Sequence, residues 1–93
     1  MTENELKVAV KRHARLQGWA VQDMAQNRPC RPVKGEAKGY PDLTLARDGE
    51  VLWMELKTDD GMQTSEQRFW QTILPAYHLI RPRDWDRVVE LLG

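Results

Sequence analysis

Ninety-three residues make room for one domain with a thin core. With 41% hydrophobic and 30% charged residues, the composition excludes a disordered or fibrous chain. Fourteen basic residues balance fourteen acidic ones, so only the distribution of charge can point to nucleic acid or to any other charged partner.

Thr2-Glu3-Asn4-Glu5 has the form of a capping box, and Leu6, Ala9, Val10, His13 and Leu16 recur at helical spacing until Gly18. A first helix over about residues 3–17 is predicted. Trp19 to Gln22 alternates as a strand does. Residues 24–40 have no period and carry Arg28, Arg31, Lys34 and Lys38 against Glu36 alone. A stretch this long without structure of its own is more often functional than filler. It holds the single cysteine, Cys30, which cannot form an internal disulfide and fits a reducing cytosol.

Leu43–Ala46 and Val51–Lys57 read as the arms of a hairpin turning at Asp48-Gly49. Thr64-Ser65-Glu66-Gln67 is a second capping box, and Phe69, Trp70, Ile73 and Leu74 give that helix an apolar face until Pro75. Tyr77 to Ile80 reads as a last strand, and Asp84 caps a helix carrying Trp85, Val88, Val89, Leu91 and Leu92. The order α-β-β-β-α-β-α predicts an α/β domain, a small mixed sheet flanked by helices. Residues 1–93 are expected to be one stand-alone domain. No apolar run is long enough to span a bilayer, and MTENELK lacks the character of a signal peptide.

The hairpin register has a chemical consequence. A two-residue loop pairs Arg47 with Glu50, Leu45 with Leu52, Leu43 with Met54, and Asp42 with Glu55. One face then carries Leu43, Leu45, Leu52, Met54 and Leu56 as core. The other carries Thr44, Ala46, Val51 and Trp53, with Asp42, Glu55 and Lys57 towards its open end. Opposed side chains have Cβ atoms about 4.5–5.5 Å apart, and like charges there destabilise a sheet. Protonating one acid or placing a Lys nearby would offset that repulsion, and a divalent cation does it best; Mg²⁺ takes one or two carboxylates while keeping waters and accepting phosphate oxygens. A three-residue loop would put the two acids on opposite faces. The alternative is plain surface chemistry: a solvated strand face and a turn at Pro41-Asp42.

Pro41-Asp42 followed by Glu55-Leu56-Lys57 resembles the PD-(D/E)XK nuclease signature. The first-helix acid, Gly39-Tyr40-Pro41-Asp42-Leu43, the Glu55-to-Lys57 strand and a glutamine in the following helix resemble its virus-type replication-repair branch, VRR-NUC, from Glu5 to about Ile80. That resemblance implies a PD-(D/E)XK-like fold and a metal-dependent endodeoxyribonuclease. Asp42, Glu55 and the backbone carbonyl of Leu56 would hold Mg²⁺ or Mn²⁺, with Glu5 a further ligand unless it serves only as a cap. Lys57 would act on the attacking water or on the charge of the transition state. Gln67 would support the site unless it, too, is only a cap. Small members of the branch resemble homodimeric resolvases of Holliday junctions, so branched DNA and a second copy are the expected partners. A catalytically inactive DNA-binding module, or a flap or nicking nuclease, are the alternatives within the fold; a protein-interaction domain is the alternative outside it.

Arg28, Arg31, Lys34 and Lys38 precede the acids and are the expected grip on DNA phosphates, with a solvated loop as the alternative. His13 is expected in a core or interface, His78 could approach the site, and the four tryptophans are expected to pack the core, one or two of them at a dimer contact.

Overall fold

The computed structural model describes residues 1–27 and 38–93. Helix α1, Glu3–Leu16, starts where Thr2 Oγ1 accepts from the Glu5 N–H at 3.1 Å and Glu5 Oε1 accepts from the Thr2 N–H at 2.8 Å. Strand β1 spans Ala20–Asp23. Within the segment expected to be aperiodic, Met24–Asn27 forms a single helical turn, α2, begun by Asp23 Oδ1 accepting from the Ala25 N–H at 2.9 Å. Arg28, Cys30, Arg31 and Lys34 lie outside the described residues.

Strands β2 (Leu43–Arg47) and β3 (Glu50–Leu56) form the expected hairpin. Asp48 and Gly49 both have positive φ, 50° and 82°, as a two-residue turn matching the twist of the strands requires. Arg47 pairs with Glu50, Leu45 with Leu52 and Leu43 with Met54, the register read from the sequence. Helix α3 (Ser65–Ile73), strand β4 (Tyr77–Ile80) and helix α4 (Trp85–Leu92) complete the order α-β-β-β-α-β-α. The sheet runs β1-β2-β3-β4, antiparallel except for the parallel pair of β3 and β4.

One face of this four-stranded sheet carries the core. Leu43, Leu45, Leu52, Met54, Leu56 and Ile80 pack beneath Leu6, Val10 and Ala14 of α1 and Val88 and Leu92 of α4. At the turn end, the Arg47 guanidinium lies 4.4 Å over the Trp19 ring and donates to the carbonyls of Gln17 and Leu92 at 2.8 and 3.2 Å. Trp19 Nε1 donates to the same Leu92 carbonyl at 2.9 Å, so both helix C-termini are tied to the hairpin. Burying Trp19 removes on the order of 2 kcal/mol of apolar surface from water.

Helix α3 departs from expectation. Its apolar face is not packed, for Phe69 and Ile73 are 57% and 52% exposed and no α3 residue is buried. Of that face, Trp70 makes the anchoring contacts. Trp70 meets the Tyr40 ring edge-on at 4.9 Å and donates from Nε1 to the Lys38 carbonyl at 3.0 Å. Trp53 and Trp70 are accordingly half-buried on the second face of the sheet, while Trp19 is in the core and Trp85 packs at its margin. Among the described residues, no helix is long and apolar enough to cross a membrane.

Candidate active site

Gly39 to Asp42 approach the sheet through a tight passage. Gly39 has φ +81°, and a Cβ there would sit 2.6 Å from Glu66 Cβ and 2.8 Å from the Gln67 nitrogen, so only glycine lets this loop lie against the start of α3. The Tyr40 hydroxyl accepts from Trp53 Nε1 at 2.8 Å, and Pro41 is fully buried. Asp42 therefore enters next to β3, where its Oδ2 accepts from the Leu56 N–H at 2.8 Å.

Continuing the register of β2 and β3 by one step sets Asp42 opposite Glu55, on the face away from the core. Glu55 is only 2% exposed although it faces away from the main core. Gln67 Nε2 donates to its Oε2 at 2.8 Å, whereas its Oε1 is buried with no hydrogen-bond partner among the described residues. Burial, then the charge of Asp42, pushes the Glu55 carboxyl up to about 8; Lys57 works against this, and Asp42 adds to it again from hydrogen-bonding reach. The two acids are thus close enough to contend for one proton or one cation.

Gln67 performs both of the tasks considered for it. Its Oε1 accepts from the Thr64 N–H at 2.8 Å as a cap, while its Nε2 holds Glu55. An amide can do this because its oxygen and nitrogen point apart. Lys57 follows β3 directly, with its N–H donating to the Ile80 carbonyl at 3.0 Å, and its charge bears on Glu55.

The structure does not bring Glu5 to the pair. Its exposed carboxylate is spent in the cap of α1, and the Thr2 backbone N–H holds its carboxyl below the usual range. The helix-one acid whose field reaches Glu55 is Glu3, and it raises that carboxyl further. Sequence reasoning missed Glu3, although the capping box itself hinted at it by claiming Glu5. Tyr77 was missed as well: it is level with Trp53 on β4, and burial followed by the charges of Glu55 and Asp42 pushes its phenol up to about 12, against a hydrogen bond from Gln63. Nothing in the sequence prints the register of a parallel pair. His78 is level with Met54, a core-facing residue, and lies 3.5 Å from Arg87, so it does not approach the acids. Lys38, the one described member of the expected DNA grip, is exposed and pairs with Glu66 at 3.5 Å.

Among the described residues no group of three or more His, Cys, Asp or Glu side chains converges. The donor set offered by the described side chains is therefore two carboxylates, which cannot make the tetrahedral nitrogen–sulfur cage of structural zinc. It suits a hard cation that keeps several waters and takes further oxygens from a phosphate. No family model matches the chain, and neither does any curated protein or solved structure.

Proposed function

We propose that this domain is a Mg²⁺- or Mn²⁺-dependent DNA endonuclease of the PD-(D/E)XK type, hydrolysing phosphodiester bonds in branched DNA as a homodimer. The observation that carries the proposal is Glu55, buried beside Asp42 with one carboxylate oxygen lacking a hydrogen-bond partner among the described residues. A buried acid facing a second acid is costly unless something positive joins them. Asp42, Glu55 and the Leu56 carbonyl would hold the cation, which when bound supplies a water of lowered pKa and polarises a phosphoryl oxygen.

The chain's own residues set up the rest. The Leu56 N–H fixes Asp42, and Gln67 fixes Glu55, so neither carboxylate has to reorganise during the reaction. Lys57, one step beyond Leu56 and on the face of Glu55, contributes positive charge where negative charge builds on the phosphate. Two-fold symmetry suits a four-way junction, where paired incisions on opposing strands are needed.

The test is cleavage of labelled four-way junction, flap and linear duplex, with Mn²⁺ or with EDTA. Metal-dependent cutting of branched DNA that is lost in Asp42→Asn is the expected result. Binding without cutting by the unaltered chain would replace this proposal with an inactive DNA-binding module, and neither activity would leave a protein-interaction domain.

A further inference from the structure

A groove of about 590 Å³ runs along the outer side of α1 from Asn4 to Leu16. Four of the residues lining it are cations, Lys7, Lys11, Arg12 and Arg15, and the one acid is Asp23. Lys7, Lys11 and Arg15 are successive helical turns of one face, and Arg12 stands beside them. Asp23 Oδ1 and Oδ2 meet Lys7 and Lys11 at 3.4 and 2.9 Å, which fixes the lower part of the groove. Arg12 and Arg15 are exposed, and neither is in an ion pair among the described residues.

The end of the groove by Asn4 and Asp23 abuts the sheet end that carries the acids. The Met24 N–H donates to the Asp42 carbonyl at 3.0 Å, and Glu3, at the start of the same helix, acts on Glu55. From Asn4 to Leu16 the helix rises about 18 Å at roughly 1.5 Å per residue. That length is enough to follow a few consecutive phosphates of one DNA strand. Guanidinium forks suit phosphate oxygens, and the exposed positive charge of Arg12 and Arg15, beyond the two lysines that Asp23 pairs, suits a polyanion.

We infer that the basic groove on α1 is the track of a DNA sugar–phosphate backbone leading to the Asp42–Glu55 pair, with Arg12 and Arg15 as phosphate contacts. This rests on the nuclease proposal and adds where the substrate lies. It differs from the grip expected on residues 28–38, because it places the contact on a rigid helix. Such contacts supply affinity and salt dependence without sequence preference.

The experiment measures binding of labelled duplex and junction in an Asp42→Asn background, as salt is raised, with Arg12→Ala/Arg15→Ala added. Both arginines are exposed, and a thermal melt checks that the fold is kept. The slope of log K against log salt is expected to fall by about 2, one per arginine, equally for different sequences. Arg87→Ala, on α4, leaves the slope unchanged. Charge reversal, Arg12→Glu/Arg15→Glu, deepens the loss. An unchanged slope, or an equal fall with Arg87→Ala, would overturn the track. If the unaltered chain still cuts DNA in those cases, the nuclease proposal stands without it; if it neither binds nor cuts, both fall.

Discussion

Two carboxylates in this small domain have almost no contact with water, and their surroundings treat them in opposite ways. Asp23 is 3% exposed and Glu55 2%. Burial works to raise the Asp23 carboxyl, but the hydrogen bond from Lys11, the charge of Lys7 and the Ala25 N–H outweigh it and hold the group below its ordinary value. Glu55 meets burial together with a second acid, and only Lys57 opposes them, so its carboxyl rises to about 8. Asp23 is satisfied by the protein itself. Glu55 has one carboxylate oxygen without a hydrogen-bond partner among the described residues, so the protein does not satisfy it as it satisfies Asp23.

The largest expected effect separates the two acids by function. Asp42→Asn or Lys57→Ala lowers the cleavage rate by about two to three orders of magnitude, as losing a preorganised electrostatic group does. Substitutions at Asp23 leave single-turnover cleavage by the folded fraction within a few fold. Rates that fall equally in both regions would erase the distinction.

Stability reverses the ranking. Asp23→Ala removes a buried carboxylate that holds Lys7, Lys11 and the Ala25 N–H together, and should lower the unfolding free energy by about 3 kcal/mol, read from the denaturant midpoint. Glu55→Gln keeps an acceptor for Gln67 while removing the buried charge, so at pH 8.5 without metal it raises Tm.

The pH dependence sharpens the contrast further. Folded Glu55 keeps its proton up to about pH 8, whereas the unfolded chain releases it near its ordinary 4.5. Its contribution to stability is therefore complete below 4.5 and lost as pH rises through 8. Asp23, held below its ordinary 3.8, contributes above that value and loses its contribution as pH falls through the lower folded value. Metal-free melts from pH 3 to 9 should show Glu55→Gln flattening the fall in stability between about pH 4.5 and 8, and Asp23→Asn changing only the acid end. The smallest effect belongs to Gln67→Ala, about 1 kcal/mol for the lost cap, accompanied by slower cleavage because Glu55 is no longer held. Thr64→Ala, which removes part of the same cap and leaves the contact to Glu55, costs stability alone.

Much of this arrangement was legible in the sequence because local chemistry dictates it. Asp48-Gly49 fixes the turn, the turn fixes the register, and the register sets Asp42 against Glu55. Both capping boxes form as written. What was not legible depends on contacts between distant segments. The exposure of Phe69 and Ile73 goes with α3 being held through Trp70 and the close approach of Gly39. The place of Tyr77 follows from a parallel register. The basic face of α1 was readable at helical spacing, but its charged stripe becomes a groove only once Asp23 of β1 is set beneath it.

Calorimetric titration of Mn²⁺ at pH 7 in buffers of different ionisation enthalpy most directly tests whether Asp42 and Glu55 share one cation. One ion per chain is predicted, with release of about one proton as Glu55 ionises, and with both signals abolished by Asp42→Asn. Binding that survives Asp42→Asn, or that releases no proton, would contradict a shared site at the open end of the hairpin.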